Sequence, residues 1–138
     1  MKRYVLDSTA LMIFFLDGAG ATKVEDFIID AVAKKNRLLM SAVNWGEMYH
    51  STWRERGKDV ADKIISEISH LPIEIEDANF EAAKMAAEFR AQYALPYAGC
   101  FAASLSRRRN APVITADPDF LALKKKIAVE FISQTEKS

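Results

Sequence analysis

With 138 residues, half of them apolar, the chain is the size of one domain around one buried core. Its 19 basic and 19 acidic side chains cancel, which excludes a whole-molecule field drawing it to nucleic acid or membrane. Apolar runs are short and broken by charge, no small-residue cleavage site follows the N-terminus, and the lone Cys100 excludes an internal disulfide and a cysteine-based zinc centre; the expectation is a cytoplasmic protein that does not engage membranes.

In chain order, the first strand-like run covers residues 3–6 and leads into VLDST, which places Asp7 at its end. Val24, Phe27, Ile28, Ala31 and Val32 follow at the spacing of an amphipathic helix, and a second strand is expected over 38–43. In SAVNWGEMYHSTWRERG the sequence predicts a helix that opens at Asn44, a capping residue, and stops at Gly57. Trp45, Tyr49 and Trp53 share one face of it, with core packing as their expected role and a partner surface as the alternative. Glu47, at about 100° per residue, points away from that stripe. Ala61, Ile64, Ile65 and Ile68 mark the next helix, 72–75 a third strand, and Ala82, Met85, Ala86, Phe89 and Tyr93 another helix. The segment LPYAGCFAAS then begins a helix with Gly99 inside its first turn, where glycine costs about 1 kcal/mol relative to alanine, and the basic run Arg107, Arg108 and Arg109 follows. A fourth strand over 112–115 ends in VITADPDF, followed by Lys124, Lys125 and Lys126 and a fifth strand over 128–132. This alternation predicts an α/β fold whose mainly parallel five-stranded sheet is flanked by helices.

In such a sheet ligands bind beyond the carboxyl ends of the strands, so Asp7 and Asp117, each directly after a strand, stand where a site would form. Each also suits a helix N-cap, Asp117 especially because Pro118 follows it. Two acids at equivalent strand ends favour a shared site, with Glu47 as a third candidate whose plainer reading is an exposed helix acid. Glu47/His50 and Glu67/His70 repeat the Glu-x-x-His spacing of di-iron carboxylate bundles, an oxidoreductase alternative, but such a bundle needs four long helices in place of these strand-like runs. A phosphate-accepting receiver domain would want paired acids after the first strand, where VLDS offers one. The arginine run and Lys124 are candidate RNA contacts, and solvated faces otherwise.

VLDSTALM, SAVNWGE, LPYAGCFAAS and VITADPDF, in this order and at these separations, resemble the motifs of the PIN-domain family, most closely its short VapC-type toxins. The resemblance covers nearly the whole chain and implies one PIN domain over residues 1–138, with a three-layer fold. It further implies an endoribonuclease that uses Mg²⁺ or Mn²⁺ held by Asp7, Glu47 and Asp117, with Thr115 as the hydroxyl residue of the last motif and Asp119 as an acid found in some members. It also implies an RNA substrate such as transfer RNA, a cognate VapB-like antitoxin and a homodimer. The family's remaining acid belongs directly before Cys100, where this chain has Gly99. Losing one carboxylate removes a ligand or water-orienting group, so reduced or absent cleavage is expected. Gly99 is open to three explanations: a loss of activity that was selected or engineered, a natural member that binds RNA or its partner without cutting, or a close approach of the backbone that only glycine admits.

Overall fold

A computed structural model describes residues 1–16 and 18–132. Five strands, β1 (Lys2–Leu6), β2 (Asn36–Ser41), β3 (Ile73–Glu76), β4 (Val113–Thr115) and β5 (Val129–Phe131), form one parallel sheet in the order β3-β2-β1-β4-β5. From β1 the chain adds β2 and β3 on one side and later β4 and β5 on the other. The order therefore reverses between β1 and β4, the point beyond whose carboxyl ends sheets of this kind form a crevice for ligands.

Six helices cover the sheet: α1 (Ser8–Phe15), α2 (Ala21–Val32), α3 (Ala42–Arg56), α4 (Lys58–Ile68), α5 (Phe80–Gln92) and α6 (Tyr97–Arg109). Side chains alternate across a strand, so neighbouring apolar residues serve opposite layers. Val5, Leu39 and Val113 face α5 and α6, where Ala86, Phe89, Phe101 and Leu105 are buried. Leu6, Leu38, Met40 and Ile114 face the opposite layer, meeting Leu11, Val24, Ile28, Met48 and Ile64. Burial on both faces explains why these strands read as continuous apolar runs.

The expected elements are present, with two shifts that matter for the site. β2 ends at Ser41 and not at residue 43, because the Ser41 hydroxyl accepts from Val43 N (3.1 Å) and caps α3. Asn44 therefore lies inside the first turn of α3 and is not its cap. Gly57, with φ at 93°, ends α3 as expected and lets α4 start at once, a left-handed turn that other residues resist. The aromatic stripe keeps the expected core role only at Trp45, which packs against the layer that holds Leu6, Met48 and Ile64. Asn44, Met48 and Thr52 form the buried face of α3, while Trp53 remains 45% exposed. The rest of the stripe is clasped by α4: Tyr49 Oη donates to Asp62 Oδ1 (2.6 Å), and Lys58 Nζ lies 5.6 Å from the Trp53 ring. Among the described residues no helix is long and apolar enough to cross a membrane.

Candidate active site at the carboxyl ends of β1 and β4

Asp7 follows β1 and is 3% exposed. It is the N-cap of α1, with Oδ1 accepting from Ala10 N (3.0 Å) and Thr9 Oγ1 (2.7 Å). Its Oδ2 accepts from the hydroxyl of Thr115, the last residue of β4. The same Thr115 oxygen accepts from Asp117 N (3.0 Å), and Thr9 Oγ1 accepts from Ala116 N (3.0 Å). Two hydroxyls thus lock the ends of β1 and β4 together and aim the Asp7 carboxylate into the crevice between them.

Burial pushes the Asp7 carboxyl up from 3.8 to about 6, against the stabilising hydrogen bonds of Thr115, Thr9 and Ala10, and the charge of Asp117 pushes the same way. Asp117 is half-buried and caps the 3₁₀ helix Pro118–Leu123, accepting at Oδ1 from Asp119 N (2.9 Å). Asp119 is exposed, and among the described residues its carboxylate makes no hydrogen bond to the cluster. Glu47 is half-buried and reaches the group from α3 through Ser8, whose hydroxyl donates to Oε1 at 2.5 Å.

Gly99 is the third residue of α6. The first turn of that helix is tied to α3 by Asn44, whose Nδ2 donates to Ala98 O (2.9 Å) and whose Oδ1 is buried without a partner. A Cβ at position 99 would lie 3.1 Å from Leu95 Cγ and 3.2 Å from its Cδ1. Leu95 is itself fully buried, so a Cβ at this position would press on a core side chain.

The structure does not bring the arginine run to this crevice. α6 runs from Gly99 away from it, and at about 1.5 Å per residue Arg107, Arg108 and Arg109 lie roughly 12–15 Å further along the helix. Arg109 is held by Glu76 (2.6 Å), Arg108 Nε donates to Ser104 Oγ (3.3 Å), and Arg107 lies over the Phe89 ring. Lys124 ends the 3₁₀ helix, with its ammonium 5.9 Å from the Phe131 ring.

Ser8, Thr9 and Asn44 belong to the site but were not expected there. VLDST displays both hydroxyls next to the acid, a pattern that an Asp read only as a helix cap conceals. For Asn44 the available signal was its spacing of four from Met48 and Thr52, the stripe that proves buried.

Carboxylate oxygens suit a hard divalent cation, and Mg²⁺ takes only one or two of them from protein while keeping several waters. Asp7 and Asp117 meet that requirement in kind, and a cation held by them would offset the negative charge that burial makes costly at Asp7. Among the described residues, however, no three His, Cys, Asp or Glu side chains gather closely enough to form a fuller cage. The donor set fits a weakly held ion with mostly water ligands.

The family model described as "PIN domain" matches residues 4–126. Similar solved structures include VapBC2 from Rickettsia felis bound to a DNA fragment from its promoter (15% identity, TM-score 0.76, covering 95% of this chain and 99% of that one). Another is VapC20 of Mycobacterium tuberculosis, described as a sarcin–ricin loop cleaving toxin (12% identity, TM-score 0.71, 91% and 96% covered). A third is VapBC-5 of the same organism, from the VapBC family of toxin–antitoxin systems (19% identity, TM-score 0.64, 96% and 99% covered). At these identities the likeness concerns the fold. No curated protein matches the sequence.

Proposed function

The chain belongs to the PIN-domain family, and on that premise we propose that it is one PIN domain of the endoribonuclease toxin type, restrained by a VapB-like antitoxin, with cleavage weakened or lost at Gly99. The observation that carries this reading is the Asp7–Thr115–Asp117 arrangement at the point where strand order reverses. The similar structures, drawn from VapBC pairs and a cleaving toxin, support an antitoxin partner and an RNA substrate. A homodimer and a cytoplasmic setting belong to the same proposal.

Asp7 and Asp117 would hold Mg²⁺ or Mn²⁺, with Glu47 alongside. When bound, such an ion lowers the pKa of a coordinated water and offsets charge on a scissile phosphate. The chain's own contribution is positional. Thr9 and Thr115 fix the Asp7 carboxylate, Ser8 fixes Glu47, and Asp119 stands on the exposed rim. At neutral pH Asp7 is ionised in spite of its burial, as a metal ligand must be. Position 99 supplies nothing to this set.

One observation favours a second reading, a PIN domain that binds RNA or antitoxin without cutting: a Cβ at 99 would press on the buried Leu95 at 3.1–3.2 Å, so the packing is fitted to glycine. Mn²⁺-dependent cleavage of a transfer RNA pool by the chain and by Gly99→Asp separates the two readings, with a thermal melt to show that the variant folds and calorimetric titration of Mn²⁺ to show metal binding. Weak or absent cleavage by the chain and a clear gain in the variant are expected. If a folded variant takes up Mn²⁺ and leaves the RNA intact, the non-cutting reading replaces the nuclease. Full activity of the unaltered chain would overturn the role given to Gly99.

A further inference from the structure

Parallel strands give the sheet two different ends, and the amino ends carry a feature unrelated to the acids. Between the start of β1, the last turn of α6 and the approach to β5 lies a cleft of about 360 Å³, lined by Lys2, Arg107 and Lys126 and by no Asp or Glu. In a chain with no net charge, three cations without an acid are a local segregation. Four surface cations elsewhere, Arg37, Lys58, Lys84 and Arg109, each meet a carboxylate at 2.6–2.8 Å. Lys2, Arg107 and Lys126 have no ion pair among the described residues. Lys2 and Arg107 instead lie over the rings of Tyr4 and Phe89, at 5.4 and 4.9 Å, contacts that place a cation without cancelling its charge. Ser106 is buried and also lines the cleft, and its hydroxyl has no hydrogen-bond partner among the described residues.

Arg107 and Lys126 also border an adjoining depression of about 100 Å³ that contains Tyr93 and Gln92. Glu88 on its rim is held by Lys84 at 2.8 Å, which leaves Arg107 and Lys126 uncompensated. Cations on a ridge between two hollows, one with a free hydroxyl and the other with an aromatic ring and an amide, form a track. An isolated phosphate needs only the first hollow; a strand that alternates phosphates with bases uses both.

We propose that this track binds the sugar–phosphate backbone of a single-stranded segment of RNA, as a second contact remote from the Asp7–Asp117 crevice for the molecule that crevice acts on. The proposal rests on the RNA-directed reading above. It also explains how members of two separate basic runs, Arg107 and Lys126, come to share one cleft.

The test is fluorescence anisotropy with a labelled single-stranded RNA in EDTA, at several salt concentrations, for the unaltered chain, for Lys2→Gln/Lys126→Gln, and for a control of equal charge change at exposed sites elsewhere, Lys35→Gln/Lys63→Gln. All four positions are exposed, and thermal melts confirm folding. Losing two phosphate contacts should flatten the log K against log salt slope by about 1.4 for a single strand and weaken binding at low salt roughly tenfold or more. The control should move the slope by less than half as much. An unchanged slope in the cleft variant, or an equal change in the control, overturns the proposal and leaves the RNA reading standing. Complete displacement of RNA by inorganic phosphate at matched ionic strength also overturns it, by making the cleft a small-anion site. If the unaltered chain binds no RNA, the RNA-directed reading falls and this proposal falls with it.

Discussion

Replacing Asp7 by Asn should stabilise the protein at neutral pH and do nothing, or slight harm, in acid. The folded protein holds the Asp7 proton more tightly than the unfolded chain does, with values of about 6 and 3.8. Its contribution to stability is therefore complete below pH 3.8 and lost as pH rises through about 6. At about 1.4 kcal/mol per unit, the loss is about 3 kcal/mol. Asn carries no charge and keeps the cap, since Asn and Asp serve equally at that position. What it gives up is the acceptor facing the Thr115 hydroxyl, a cost of about 1–2 kcal/mol.

The balance is a gain of about 1–2 kcal/mol at pH 7.5. At pH 4 Asp7 is already protonated in the fold, so only the lost acceptor remains. Urea unfolding of both proteins at pH 4 and 7.5, with a chelator present, gives the difference directly. If Asp7→Asn destabilises equally at both values, burial is not what raises the Asp7 carboxyl, and the account of the site as a strained, cation-seeking cluster fails. Added Mg²⁺ should then stabilise the unaltered protein at pH 7.5 more than the variant, because binding to the folded state alone raises stability.

Gly99→Ala should cost between zero and about 2 kcal/mol, the overpacking against Leu95 outweighing the helix propensity gained, and a cycle with Leu95→Val should show the two positions coupled by at least about 0.5 kcal/mol. Stabilisation by the full propensity difference would mean that Leu95 yields freely. Asn44→Ala should cost about 0.5–1.5 kcal/mol in urea unfolding by removing the side-chain bond to the Ala98 carbonyl, which keeps its partner within α6; a cost within error would mean that the α3–α6 tie contributes nothing to stability. Trp53→Gln should cost less than about 1.5 kcal/mol, since only its contacts with Tyr49 and Lys58 are lost, and a much larger loss would return the ring to the core.

The layered fold was legible because burial on both faces writes the strands as apolar runs and the helices as stripes of Val24, Ile28 and Ala31 or of Ala61, Ile64 and Ile68. α3 was misread in its first turn for an equally physical reason. Ser41 and Asn44 are both good caps, and only the packing of Asn44 against α6 decides between them. The aromatic stripe misled in part: Trp45 packs against the core as large rings suggest, but Trp53 is 45% exposed and the fully buried positions of α3 are Asn44, Met48 and Thr52, two of them polar. Partners reached across the chain, such as Thr115 for Asp7 and Ser8 for Glu47, leave no local periodicity to read.

At Asp7 and Asp117 the structure shows the helix caps, and a cap does not compete with the site role proposed for the same residues. Each caps a helix, and each capped helix begins at the carboxyl end of a strand in the crevice where strand order reverses. Capping fixes the carboxylate with backbone donors that the helix must satisfy anyway, so the acids are oriented before any ion or substrate arrives. That economy is unavailable at position 99. A side chain three residues into α6 is past the cap, starts from a Cβ that would press on Leu95, and depends on Asn44 to place its helix against α3. Asp7 and Asp117 come almost free with the fold, whereas any side chain at position 99 asks Leu95 to give way.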